Sequence, residues 1–305
     1  MKLLKDDGRI QEDTVIVLGS FDGIHIGHRK LIETAIEIGQ MLGIQSMVYT
    51  FGNHPLSVIN SHRTPKLIMS NKVKIEYFEK LGVDLLALTQ FNSEFMEWSP
   101  EEFIRLLTEK YGAKHIIVGY NYRFGYKNLG DVELLKSMQK NLGFELHVVN
   151  PVKIGDTPVS STLIRGLIIE GQIATANKFL GHSFVMDGIV IRGKQIGRTI
   201  GFPTINIDYN IKNLVPRGGV YYTVAEIEGQ YFKGITNVGY NPTVNGNKLS
   251  IETHLLDFDK DVYDNYFKLH FIDRIRDEKK FKNIELLKRQ IQKDKEFVEQ
   301  QIMWF

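Results

Sequence analysis

The 305-residue chain has no cysteine, which removes disulfides, iron-sulfur clusters and thiolate zinc sites together. It also lacks a charge bias: 38 Lys and Arg against 36 Asp and Glu leave a formal net charge of +2. Composition therefore implies no strong attraction to nucleic acid or anionic lipid. No apolar run approaches the roughly 18–20 residues that span a bilayer. The first eight residues meet acids at Asp6 and Asp7, where a secretory signal needs an apolar core. There is no internal repeat and no low-complexity tract. A soluble, cytoplasmic and monomeric protein is expected, with neither nucleic acid nor membrane as a partner.

What is present is ordinary globular material, 43% hydrophobic and 24% charged, and the length favours two domains. In the first half, short β-branched runs (Thr14 to Leu18, Ser46 to Phe51, Asp84 to Leu88, His115 to Gly119, Glu145 to Val149) alternate with amphipathic stretches. That is the pattern of strand-helix-strand units, and several runs are apolar on both faces, as in a covered parallel sheet. Ser99-Pro-Glu-Glu102 reads as a capped helix start, and Asp131 and Gly143 bracket another helix. Ser161 to Glu170 and Gln172 to Leu180 read as two short helices, with Gly181-His182 as a linker.

From about residue 183 the pattern turns to strands (Phe184 to Arg192, Val220 to Ile227, Tyr231 to Val238, Ser250 to Leu256, Phe267 to Ile272) joined by glycine-rich turns. Connections that short predict an antiparallel barrel or sandwich. Asn283 to Gln300 reads as a closing amphipathic helix with Ile284, Leu287, Ile291 and Phe297 near one stripe. The expected division is 1–182, a doubly wound α/β domain, and 183–305, an antiparallel β-barrel with a C-terminal helix.

Gly19-Ser-Phe-Asp-Gly-Ile-His-Ile-Gly-His28 follows the first strand and opens the first helix. Glycines let an anion approach the backbone, and a helix N-terminus offers unpaired N–H groups. His25 and His28 are three apart, so both rings can face one phosphate. The competing reading is a glycine-rich turn with two surface histidines; placement after a strand of an open α/β sheet favours the ligand site. A zinc site from these two histidines has no third ligand at metal spacing. Ser160 and Ser161, taken alone, read as N-caps. In Val118-Gly-Tyr-Asn-Tyr-Arg-Phe-Gly125, aromatic residues beside Asn121 suit a stacked, hydrogen-bonded heteroaromatic ring. In Gly193-Lys-Gln-Ile-Gly-Arg-Thr-Ile-Gly-Phe-Pro-Thr-Ile-Asn206, the glycines and Lys194 can embrace phosphates. Thr204 and Asn206, two apart on an extended segment, point oxygens the same way, which suits Mg²⁺. Without further context this second segment reads equally well as a glycine-rich hairpin.

These segments resemble known families. Gly19 to His28 looks like the adenylyltransferase signature of the nucleotidylyl transferases, and Val159-Ser-Ser-Thr-Leu-Ile-Arg165 like their second signature. The 118–131 loop resembles the flavin-nucleotide loop of bacterial FAD synthetases. Gly-Arg-x-x-Gly-Phe-Pro-Thr-x-Asn is similar to the ATP and magnesium motif of riboflavin kinases. Val215 to Tyr221, Asn237 to Thr243 and Ile251 to Phe258 follow in that family's order. The resemblance, running from Val15 to about Asp294, is to bacterial bifunctional riboflavin kinases/FAD synthetases. It implies a Rossmann-like nucleotidylyl transferase domain and a riboflavin kinase-like barrel.

The resemblance implies these roles. Gly19, Phe21, Asp22, Gly27, Ser160, Ser161 and Thr162 contact one nucleotide, with His25, His28 and Arg165 catalytic. Gly193, Lys194, Gly197 and Arg198 contact another, with Thr204 and Asn206 on Mg²⁺ and Glu252 as base. Asn121, Arg123, Phe124 and Arg276 contact flavin. ATP and Mg²⁺ are the expected cofactors, and riboflavin and FMN the substrates. Two departures stand out: Thr50-Phe-Gly-Asn-His-Pro55 has Asn53 in place of a proline, and Tyr263-Asp264 replaces Tyr-Gly. The first leaves room for a rival reading, a flavin-binding regulator or carrier whose nucleotide half has decayed. A transferase for another pyridine- or lipid-derived phosphate leaves the barrel motif without a use, and no basic anticodon-binding segment supports tRNA charging.

Overall fold

The computed structural model describes residues 1–4, 8–193, 197, 200–240 and 249–303. The chain forms two compact units, Met1–Pro65 with Asn71–Ser160, and Lys66–Ser70 with Ser161–Phe305.

In the first unit, β1 (Lys2–Leu4), β2 (Thr14–Leu18), β3 (Gln45–Phe51), β4 (Leu85–Thr89), β5 (Ala113–Gly119) and β6 (Glu145–Val149) form one parallel sheet of order β1-β4-β3-β2-β5-β6. All five residues of β2 are buried, as a central strand covered on both faces requires. Ile16 and Leu18 join Met47, Tyr49, Ile116 and Val118 in one core. The helix Ile26–Leu42 packs on β2 and β3 and stops at Gly43, whose φ of 69° makes the left-handed cap. The expected capping box is present at Ser99 and Glu102, with Pro100 at the first turn. Asp131 caps the helix Val132–Leu142, which Gly143 ends.

The chain runs outward from β2 through β3 to β4, then returns to place β5 on the other side of β2. The strand order reverses between β2 and β5. In open α/β sheets ligands bind at the strand C-terminal ends beside such a reversal. The loops that follow β2 and β5 are the two segments singled out from sequence.

A short antiparallel hairpin, β7 (Lys153–Ile154) and β8 (Thr157–Pro158), follows β6 in the first unit. In the second unit, the helices Ser161–Ile169 and Ile173–Leu180 precede β9 (Phe184–Ile191), β10 (Ile205–Tyr209), β11 (Gly219–Ile227), β12 (Gln230–Tyr240), β13 (Leu249–Leu255) and β14 (Tyr266–Arg276). These strands close into an antiparallel barrel, β10-β13-β12-β11-β14-β9. A buried row of hydroxyls, Thr223, Thr236 and Thr253, links three strands at 2.7 and 2.8 Å. The helix Ile284–Glu299 packs Val298 against Val220, Tyr222, Val224 and Ile235.

Some details differ from the sequence reading. β1 and the short hairpin at Lys153–Ile154 and Thr157–Pro158 were not expected as strands, and β10 was read only as an extended segment at Thr204 and Asn206. The buried positions of the last helix are Asp294 and Val298, whereas Ile284 and Phe297 are 46% and 40% exposed. The stripe is rotated because Asp294 can be buried: Arg276 grips its carboxylate with Nε at 3.1 Å and Nη2 at 2.7 Å.

Candidate functional site

After β2 the chain turns through Gly19 to His25 in a conformation that side chains rarely adopt. Phe21 and Ile24 have φ of 49° and 36°, and both are fully buried. Left-handed backbone at non-glycine residues costs about 1–3 kcal/mol each and persists where the surroundings enforce it, often at functional sites. A Cβ on Gly19 would meet the Phe21 ring at 2.9 Å. The loop is held from outside by Thr50 Oγ1 and Lys74 Nζ, which donate to the Ser20 carbonyl at 3.1 and 3.2 Å.

His25 is the N-cap of the helix Ile26–Leu42, its Nδ1 accepting from the His28 N–H at 3.1 Å. The neutral ring must then carry its proton on Nε2, leaving that N–H as a donor. The His28 ring stacks on His25 at 3.6 Å and 13°, and Phe21 meets it edge-on. Its Nδ1 is closed off from water with no hydrogen-bond partner. Loss of hydration, then the neighbouring His25, then Lys74 hold its pKa well below the ordinary histidine range. Lys74, 4% exposed, has its pKa lowered by burial, with Asp22 opposing. Neutral ring donors, a buried cation and a helix N-terminus converge beside the strand reversal. That set can stabilise charge developing on phosphoryl oxygens.

The loop after β5 carries exposed Tyr120, Asn121 and Arg123, with Arg123 on Asp131 at 3.1 Å. Phe124 is 6% exposed, stacked with Tyr122 and pressed under Gly130, where a Cβ would meet its ring at 2.6 Å. It is the footing of the loop. Asn53 holds the neighbouring Thr50 to Pro55 loop by a reciprocal pair: Nδ2 donates to the Phe91 carbonyl at 2.9 Å and Oδ1 accepts from the Phe91 N–H at 2.8 Å. A proline there could not make these bonds, so the departure supplies its own anchor.

In the barrel, Asn206 lies opposite Glu252 across β10 and β13, and Glu252 lies opposite Asn237 across β13 and β12. Directly opposed residues share a face, so one row carries Asn206, Glu252 and Asn237. Thr204, two residues back, falls on the same side. Asn206 is buried and Glu252 half-buried. Gly193 sits so close to Asn206 that a Cβ would lie 2.1 Å from its Nδ2. Gly197 accepts from the N–H groups of Ile200 and Phe202. A cavity of about 360 Å³ opens beside Thr204, lined also by Pro203, Thr253, Leu255, Phe258 and Tyr263. The side-chain oxygens of Thr204 and Asn206, near a carboxylate and without nitrogen or sulfur ligands, fit a hard divalent cation such as Mg²⁺.

A family model described as FAD synthetase matches residues 7–163, and one described as riboflavin kinase matches residues 180–302. The chain is 37% identical over 300 residues to the bifunctional riboflavin kinase/FMN adenylyltransferase of Bacillus subtilis, covering 96% of this chain and 93% of that one. The chain belongs to the bifunctional riboflavin kinase/FMN adenylyltransferase family. The Escherichia coli K12 member is 33% identical, over 93% and 91% of the two chains. A solved structure from Streptococcus pneumoniae, named a macrolide-efflux protein, shares the fold with a TM-score of 0.90 at 31% identity over 99% of both chains. Its name speaks of a different activity. Among the described residues here, no helix is long and apolar enough to cross a membrane.

Of the family motifs read from sequence, Gly19, Phe21, Asp22, His25, Gly27 and His28 come together in the first unit. Ser160 and Thr162 are exposed and Ser161 half-buried at the start of the helix Ser161–Ile169. On the same helix Arg165 donates from Nε to the Lys66 carbonyl at 3.0 Å. Arg276 is bound to Asp294 and to the Asp277 carbonyl. Lys194 and Arg198 lie outside the described residues. Asp264, in place of the family's glycine, takes the left-handed φ of 64° that a glycine would adopt. Sequence reading missed Lys74, which looks like any helical surface lysine. It also missed the half-buried aromatic group of Phe91, Phe95 and Trp98, with Phe95 and Trp98 stacked at 4.9 Å. Their spacing of four and three residues was the available signal.

Proposed function

We propose that this chain phosphorylates riboflavin to FMN with ATP and then adenylylates FMN to FAD with release of pyrophosphate. The observation that carries the reading is that each unit gathers its own set of polar groups suited to phosphate chemistry, the His25–His28 stack in one and the Asn206–Glu252 row in the other. Residues 1–182 serve adenylylation and 183–305 phosphorylation. The helices of 161–180 belong to the first role by their signature and to the second unit by their packing.

In the kinase step Glu252 takes the proton of the terminal ribityl hydroxyl, whose oxygen forms a bond to the γ-phosphorus as the bond to ADP breaks. Thr204 and Asn206 would hold Mg²⁺, which neutralises phosphate charge when bound. Gly193, Lys194, Gly197 and Arg198 receive the ATP phosphates. In the second step an oxygen of the FMN phosphate bonds to the α-phosphorus of ATP and pyrophosphate leaves, with no covalent enzyme intermediate. Charge on the phosphoryl oxygens is met by the Nε2–H of His25, by His28 and Lys74, by the helix N–H groups and by Arg165. Gly19, Phe21, Asp22, Gly27, Ser160, Ser161 and Thr162 complete the nucleotide contacts. Asn121 and Arg123 meet the flavin nucleotide over Phe124, and Arg276, anchored by Asp294, meets riboflavin. On this reading the enzyme is a cytoplasmic monomer.

Purified protein given riboflavin, ATP and Mg²⁺ should convert the flavin first to FMN and then to FAD, resolved by chromatography. Unchanged riboflavin would leave the carrier reading standing and this one refuted.

A further inference from the structure

β5 and the edge strand β6 carry a polar cluster on the face away from the core that Ile116, Val118 and Leu146 help to fill. In the parallel pairing His115 lies opposite Glu145, and His147 follows two residues later on the same side. His115 Nδ1 and His147 Nε2 are 3.0 Å apart. The Glu145 carboxylate reaches each ring with a different oxygen, Oε2 at 3.7 Å from His115 Nδ1 and Oε1 at 3.8 Å from His147 Nε2. Three ligand atoms, two imidazole nitrogens and a carboxylate, thus converge from three residues on one surface.

We propose that His115, Glu145 and His147 form a binding site for a divalent transition-metal ion, with Zn²⁺ the representative occupant. Tetrahedral ligation with metal–ligand bonds of about 2.0–2.1 Å puts ligand atoms about 3.3 Å apart; the two ring nitrogens are 3.0 Å apart, and from them the two carboxylate oxygens stand 3.7 and 3.8 Å away. Small side-chain rotations complete three protein ligands and leave a fourth position to water. The donor set selects the ion. Two imidazoles disfavour Mg²⁺ and Ca²⁺, which take oxygen ligands, and favour the later first-row metals and zinc. This separates the site from the all-oxygen Thr204–Asn206 pair.

The His115 and His147 side chains are 17% and 26% exposed, near enough to the surface for an ion to enter. Once bound, it would cross-link the outermost strand of the sheet to β5, the strand that leads into the Gly119 to Gly125 loop.

The test uses the full chain stripped of metals with a chelator. Titration calorimetry with ZnCl₂ in excess Mg²⁺ should give one tight site per chain, and Co²⁺ should give the intense visible absorption of tetrahedral ligation. Zn²⁺ should raise Tm by several degrees. His115→Asn and His147→Asn should each weaken Zn²⁺ binding at least tenfold, and Glu145→Gln, an exposed change that leaves the fold alone, by several-fold. Absence of stoichiometric Zn²⁺ binding to the wild type would overturn the proposal. So would undiminished binding in a folded H115N/H147N double variant, which would move the ion to another histidine.

Discussion

Lys74 and His28 show how burial sets the chemistry of single residues in the adenylyltransferase half. A lysine that is 4% exposed gives up hydration that its bond to the Ser20 carbonyl only partly replaces, so its retention fits an anion arriving during turnover. Lys74→Met keeps the length of the side chain and removes the cation. Pyrophosphate release from FMN and ATP should fall at least tenfold, with Tm measured alongside because buried Asp22 then loses a neighbouring positive charge. Equal rates in the two proteins would remove Lys74 from the site. His28 makes a second prediction. Its folded-state pKa is depressed, so above about pH 6.5 the ring is neutral both folded and unfolded and costs nothing. As pH falls below that value the unfolded chain takes up the proton and the folded one does not. Stability therefore falls with pH, by up to about 1.4 kcal/mol per unit. His147 and His254, whose values are also lowered by burial, act in the same direction. The contribution of His28 is then the difference in slope between the wild type and His28→Gln, read from urea midpoints between pH 8 and pH 5.

At the scale of elements, the contact between β14 and the last helix depends on one buried ion pair. Asp294 is 3% exposed and bound by both Nε and Nη2 of Arg276, with Gln290 donating to its other oxygen at 2.9 Å. Removing one member strands the other charge, at about 3–5 kcal/mol. Asp294→Asn should lower the urea midpoint accordingly, and D294L combined with R276M should recover much of the loss. An unchanged midpoint in Asp294→Asn would show the pair to be neutral in effect. Asp294 also marks where sequence reading stops. A charged residue is never counted into an apolar stripe, so the stripe was set through Ile284 and Phe297, and only the arginine 18 residues earlier reveals the true one. β10 escaped for a related reason. Gly201, Phe202, Pro203 and Thr204 precede it, and punctuation of that kind reads as a turn until two partner strands supply the hydrogen bonds. β2, β3, β5 and β6 were legible because they are continuous apolar or β-branched runs, and the helix ends because their caps are local. The chemistry of Gly19 to His28 was legible as a motif. The ring stack, the tautomer of His25 and the buried Lys74 depend on side chains from different elements meeting, which spacing along the chain does not encode.

For the whole molecule, the family assignment places two ATP-consuming steps on one chain, the product of one being the substrate of the other. The residues proposed for each step belong to different units: Glu252 pairs across β10 and β12 in one, and His28 stacks on His25 and Phe21 in the other. Lesions should then separate. Glu252→Gln, which keeps the shape and loses the base, should reduce FMN formation about 10²–10⁴-fold and leave FAD formation from added FMN intact. His28→Ala should reduce pyrophosphate release about 10²-fold and leave riboflavin phosphorylation intact. Because FMN is a free intermediate in this scheme, an equimolar mixture of the two variants should convert riboflavin to FAD, which neither variant does at the wild-type rate alone. Loss of both activities in either variant would mean one shared site. Failure of the mixture, with each variant keeping its surviving step, would mean that FMN does not pass through solution.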